Sequence, residues 1–212
     1  MTGDESHERT RADARTRKSV ETRRRIMETA SQIISERGNT VFKMSEVSRR
    51  CGMSKGALYY YFSDRENLVN EIFEDELEEL VRVLEHSVEE AQSAHEAMMR
   101  MCEEFVQRAS GGGPLAMAIV RELVRFRELG TDVHSTRVSH IVDMLAQQLE
   151  LAKGEGIVRP DVDAHRVAVA ACGAYTFSAV SFLMDSLETG VPNEYFSDEL
   201  MQIIVRGIGV VS

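Results

Sequence analysis

Between Ser45 and Tyr61 the chain gathers residue types that recognise a polyanion without covalent chemistry. Lys55 stands at the start of a short helical segment, where an ammonium can reach a guanine edge in a DNA groove. The run Tyr59-Tyr60-Tyr61 follows it. Adjacent helical residues point about 100° apart, so the three rings cannot all enter a core. At least one faces solvent or a ligand, and a phenol can donate to phosphate while its ring packs on sugar. Taken singly, Lys55 reads better as a surface lysine and the tyrosines as packing on the first and fourth helices. Their joint arrangement is what points to nucleic acid.

The elements that must position these residues are two short helices, 45–51 and 54–62, joined at Gly52-Met53. That is the layout of a helix-turn-helix, whose second helix is sized for the major groove. Gly52 suits a left-handed turn. Ser54 is placed to cap the second helix, leaving its first N–H groups for a phosphate. Val47, Cys51, Leu58 and Phe62 form the expected underside, so Ser45, Lys55, Gly56, Ala57 and the tyrosines fall on outward or partly outward faces. A preceding helix, 18–37, carries Ile26, Ala30, Ile33 and Ile34 at helical spacing and stops at Gly38. A following long helix opens at Ser63 and Glu66, which stand at capping-box spacing.

Further helices are expected at 94–109, 115–128, 133–153, 161–187 and within 194–208, with no strand alternation anywhere. The expected fold is all-α with nine helices: three in an N-terminal helix-turn-helix domain and six in a larger C-terminal domain. The expected divisions are a disordered basic arm over 1–17, a DNA-binding domain over 18–64, and an effector-binding and dimerisation domain over 65–212.

Charge supports two functional halves. The chain has 25 Lys and Arg against 35 Asp and Glu, a net of −10, which on average disfavours a polyanion. Yet residues 1–65 hold 14 basic and 9 acidic side chains, leaving 11 and 26 for the remainder. One end can approach phosphates and the other repels them. Arg9, Arg11, Arg15, Arg17 and Lys18 are either a solvated tail or extra phosphate and minor-groove contacts, whereas Arg23, Arg24 and Arg25 are expected to meet DNA.

The stretch Thr22-Arg23-Arg24-Arg25-Ile26, Ala30, Gly38, Glu46-Val47, Cys51-Gly52-Met53-Ser54-Lys55-Gly56-Ala57-Leu58-Tyr59-Tyr60-Tyr61-Phe62 and Asp64-Arg65-Glu66-Asn67-Leu68 resembles the DNA-binding domain of the tetracycline-repressor (TetR) family. The resemblance covers about 45–50 residues; the rest agrees only in helix count and layout. It implies an all-helical homodimer with a ligand cavity and dimer interface in the C-terminal helices. By position, Ser45, Ser54, Lys55, Gly56, Ala57 and Tyr59 would face bases or nearby backbone, and Tyr60, Tyr61 and Arg65 phosphates. Two positions depart from the family. Lys43 stands where Thr or Ser often caps the second helix and touches phosphate, and Arg65 replaces the usual Lys.

Candidate effector-lining residues are Met98, Met101, Phe105, Met117, Met144, Tyr175 and Phe177, together with Cys102, Val120 and Met184; each is otherwise ordinary core. Glu122, Asp143 and Asp185 are candidates to pair with a cationic ligand, or else face solvent. Ala168, Cys172, Ala179 and Phe182, with Tyr175, form a small-residue stripe expected at a two-fold interface. The uncharged run Val167 to Met184 reaches the length of a membrane span, but its Ala, Ser, Gly and Cys content suits close helix packing instead.

Nothing pairs a nucleophile with a base. Gly111–Gly113 leads into Pro114 rather than a phosphate-binding Lys-Ser/Thr. His134 and His140 are six apart, off one helical face, and Cys51, Cys102 and Cys172 include no CxxC pair. No enzyme, cofactor or metal is expected, and a reducing cytoplasm is. The expected function is a ligand-released repressor on a pseudo-palindromic operator, or else an effector-independent architectural DNA-binding protein; an all-α carrier is a third class.

Overall fold

A computed structural model describes the backbone of residues 4–109, 113–128, 137–189 and 207–209, and the side chains of 16–109, 113–122, 137–177 and 207–209. It contains α1 (Asp4–Arg37), α2 (Met44–Arg50), α3 (Lys55–Tyr61), α4 (Arg65–Glu89), α5 (Ala94–Ala109), α6 (Pro114–Glu128), α7 (Arg137–Gly154) and α8 (Ala164–Thr189). The chain is all-α among the described residues, save an isolated antiparallel bridge between Val158 and Gly209. The ninth helix, expected within 194–208, falls almost wholly outside the described residues. No helix of the described residues is long and apolar enough to cross a membrane.

Two compact units divide within α4, at Ile72/Phe73, later than the boundary expected at 64/65. In the first unit, Ile26, Ala30, Ile33 and Ile34 of α1 are fully buried, with Val47, Leu58, Phe62 and Leu68. The helical period of the α1 set puts all four on one face. Gly38 ends the helix at φ 64°, its N–H donating to the Ile34 carbonyl at 2.8 Å. Glu46 then ties α2 to α1: Arg37 holds it through two hydrogen bonds of 2.8 and 2.7 Å, and Arg50 bridges it to Glu36.

Three expectations about helix starts are corrected. The segment 1–17, read as a disordered arm, is helical from Asp4 onward. Residues 4–17 lack apolar periodicity, yet they contain no Gly or Pro and are rich in Glu, Arg and Ala, whose propensity favours continuing α1 backward. The cap of α4 is Asp64 rather than Ser63. Its carboxylate accepts the Asn67 N–H at 2.8 Å, and Ser63 donates to that carboxylate at 3.1 Å. The helix expected from 161 starts at Ala164, because Asp163 accepts the Arg166 N–H at 3.1 Å and so fixes the cap two residues later.

In the second unit, α7 and α8 meet along Leu149, Ala152, Ala164 and Ala168, all buried. Alanines at the contact let the two backbones approach closely. The Val158 bridge, with Arg159 N–H donating to the Ile208 carbonyl at 3.0 Å, brings residues 207–209 against this core. On α6, the Arg121 guanidinium lies 4.8 Å from the centroid of the Phe73 ring and pairs with Glu74, which also binds Arg137 at 2.6 Å.

Candidate nucleic-acid interface

The turn between α2 and α3 is set by three backbone hydrogen bonds, from Cys51, Gly52 and Met53 to the carbonyls of Val47, Arg49 and Ser48. Closing it requires φ 64° at Gly52. A Cβ there would meet nothing within 4 Å, so the demand for glycine is conformational and not steric crowding. Ser54, in extended conformation, then accepts the Ala57 N–H at 3.2 Å as the cap of α3. Cys51 packs from the turn onto α1, its thiol 3.2 Å from the Thr29 hydroxyl.

Leu58 and Phe62 are fully buried and orient α3. The opposite face is open: Lys55, Gly56 and Ala57 are exposed, Tyr59 is 49% exposed and Tyr60 80%. Tyr61 is half-buried and meets the Tyr60 ring edge-on at 5.3 Å. Two large phenols held this far out lose apolar burial that a stability role would claim. Ser45 is half-buried on α2, and Lys43 is exposed.

Lys43, at the position before α2, is extended and makes no side-chain cap. The family departure thus leaves α2 without the hydroxyl cap and puts a cation in its place. Arg65 is exposed in the first turn of α4. A cation at a helix N-terminus opposes the helix dipole, so helix stability does not explain this residue. Asp64 beside it is held below the usual carboxylate range, first by the Asn67 N–H and then by the Ser63 hydroxyl.

Arg23, expected to meet DNA, has partners within its own unit. Its guanidinium donates to the Tyr61 carbonyl at 3.1 Å, pairs with Glu71 and lies 4.6 Å from the centroid of the Phe62 ring. It fastens α1 to the end of α3 and the first turns of α4. Arg24 is exposed and pairs with Glu28 on its own helix at 3.2 Å; Arg25 is exposed.

Two cavities of about 60 Å³ each lie in the second unit. Met98 lines one, Met101 and Phe105 the other, and Tyr175 and Cys102 both. Leu145 is a third shared wall that periodicity could not separate from ordinary core. Met117, Val120, Met144 and Phe177 line neither cavity, and Phe177 is 72% exposed. Glu122 and Asp143 also lie outside both linings. Met184 and Asp185 fall outside the described side chains.

The dimer stripe is corrected as well. Ala168 is fully buried and Cys172 lines a cavity, so this face of α8 points into its own unit; Ala179 and Phe182 lie outside the described side chains. The outward face carries Val169, Gly173 and Phe177, four residues apart. An almost uncharged helix offers no polar stripe to tell its two faces apart. Among the described residues no group of three or more His, Cys, Asp or Glu is placed to hold a metal, His140 pairs with Glu85 at 2.8 Å, and the three cysteines are unpaired.

Comparison with known proteins accords with this geometry. Residues 26–72 match the model of bacterial regulatory proteins of the tetR family. The HTH-type transcriptional regulator UidR of Escherichia coli K12 is 26% identical over 144 residues, 67% of this chain and 71% of that protein. The fold is similar to that of the ketosteroid transcriptional regulator KstR2 of Mycobacterium tuberculosis (TM-score 0.64, 19% identity, covering 89% of this chain and 95% of that one). It is also similar to the fatty acid degradation regulator FadR of Bacillus halodurans (TM-score 0.66, 15% identity, covering 88% and 95%). A capped helix with an open cationic and phenolic face lies inside the matched segment and gives the similarity its physical content: residues 26–72 are similar to the DNA-binding segment of bacterial regulatory proteins of the tetR family, and the fold is similar to that of known transcriptional regulators.

Proposed function

We propose that the protein is a homodimeric repressor that binds a pseudo-palindromic site in double-stranded DNA and is released by a small molecule held in its second unit. The observation that carries the DNA half is the two-faced α3, with Leu58 and Phe62 fully buried while Tyr59 and Tyr60 stand 49% and 80% exposed. Lys55 and Tyr59 meet base edges, with Ser45, Gly56 and Ala57 beside them. Lys43, Tyr60, Tyr61, Ser54 and Arg65 bind the phosphate backbone on either side, and Arg23 acts as a positioning residue. The outward face of α8, at Val169, Gly173 and Phe177, supplies the self-association surface, and two-fold symmetry makes the preferred site palindromic. Unpaired cysteines suit a reducing cytoplasm.

Release requires a ligand that binds the DNA-incompetent state more tightly. The cavities bounded by Cys102, Leu145 and Tyr175 are where it acts. Selection of bound sequences from a random duplex library, followed by competition with candidate ligands, tests both halves. Enrichment of a palindrome supports the dimeric regulator. Salt-sensitive binding with no enriched site indicates an effector-independent architectural protein instead.

A further inference from the structure

From the composition of the two cavities and the wall they share, we infer that the effector is an elongated, uncharged, largely hydrocarbon molecule with one neutral oxygen, which displaces the Tyr175 ring and occupies both cavities at once. This rests on the effector reading above and adds the chemical class of the ligand.

Among the described residues neither lining contains a Lys, Arg, Asp or Glu; the described titratable groups are His95 at one cavity, and Cys102, Cys172 and Tyr175. Enclosing an ionised carboxylate or ammonium without a partner costs several kcal/mol, so these described walls disfavour a charged ligand. The thiols offer no anion either: burial pushes Cys102 up to about 11 and Cys172 to about 12. Both remain protonated at neutral pH and are poor nucleophiles, which makes binding reversible and non-covalent.

Each cavity alone, at about 60 Å³, is far below the roughly 300–1,000 Å³ that encloses a drug-sized molecule. They are separated by a single layer, since Cys102, Leu145 and Tyr175 line both. Tyr175 is the largest side chain of that shared wall. Its ring meets Phe105 edge-on at 5.9 Å, and its buried phenol lies on the wall that also carries the Cys102 thiol. A ligand hydroxyl or carbonyl can hydrogen-bond to that phenol, while the hydrocarbon on either side fills the two apolar spaces. The phenol is then the ligand's polar anchor.

The test is calorimetric titration of the full-length protein at pH 8 with 1-butanol, 1-octanol, 1-dodecanol and dodecanoate. Affinity should rise about fourfold per added methylene until both cavities are filled, and dodecanoate should bind at least tenfold more weakly than 1-dodecanol. Tyr175→Phe, with its fold checked by circular dichroism, should weaken 1-dodecanol about tenfold by removing the anchor. A second variant, Tyr175→Trp, places the chain's sole tryptophan in the partition, and its emission should shift on adding 1-dodecanol. Affinity independent of chain length, or dodecanoate binding as tightly as 1-dodecanol, overturns the inference. Alcohols that bind as expected yet leave selected DNA bound refute the effector reading and support the cavity chemistry. A charged effector that releases DNA while the alcohols fail to bind does the reverse.

Discussion

Arg23 and Phe62, 39 residues apart in the chain, are stacked with the guanidinium carbon 4.6 Å from the ring centroid, while the same guanidinium donates to the Tyr61 carbonyl. The last turn of the recognition helix is therefore held by an arginine from α1. Removing Arg23 should disturb DNA binding by loosening α3 rather than by deleting a phosphate contact. Arg23→Ala is expected to lower stability by about 1–2 kcal/mol and to weaken DNA binding with the salt slope unchanged. Arg23→Lys should recover little, because a lysine cannot stack and fork together. Thermal melts and binding at several salt concentrations measure both effects.

Arg65 should behave in the opposite way. It is exposed and sits at the unfavourable end of α4. Arg65→Ala is expected to leave stability unchanged or slightly raised, to weaken binding across all sequences, and to reduce the salt slope by about 1. The same two measurements separate the two arginines.

The turn glycine and the cap have separable costs. Gly52→Ala should destabilise by about 1 kcal/mol through backbone strain alone, and Gly52→Asn by less, since Asn tolerates the left-handed region. Ser54→Ala should also cost about 1 kcal/mol. Denaturant unfolding of the three variants gives the ranking.

Much of this local chemistry was legible in the sequence. Gly52, Ser54 and the Leu58/Phe62 underside follow from spacing within a dozen residues. What was not legible depends on distant partners or on ambiguous neighbours. Arg23 is held by Glu71, 48 residues on, and by the Tyr61 carbonyl, partners that local spacing does not reveal. Ser63 and Asp64 are both good caps, and only the backbone decides between them. On α8 the apolar residues run round the helix, so the stripe containing Ala168 and Cys172 could be assigned to either face. Which methionines line a cavity depends on α5, α7 and α8 meeting, a non-local outcome.

The buried thiols predict an alkaline limit. A thiol raised in the folded state contributes stability that is fully present below its unfolded value near 8.5 and declines as pH rises toward the folded values of about 11 and 12. Stability should therefore fall between about pH 8.5 and about 12, and Cys172→Ala should flatten that decline. Chemical unfolding across this range checks the sign.

Self-association should depend on the outward face of α8. Phe177→Glu places a charge on a 72% exposed apolar site and should shift the protein toward monomer in sedimentation, with the helical circular dichroism retained.

The central claim is that α3 reads sequence with its Lys55/Tyr59 face, and the most direct measurement is library selection run in parallel on the wild-type protein, Lys55→Ala and Tyr59→Ala. Both side chains are exposed, so the variants should fold and self-associate normally. A palindrome enriched by the wild-type protein and lost by both variants is the predicted result. Equal enrichment of the same palindrome by all three proteins would contradict it.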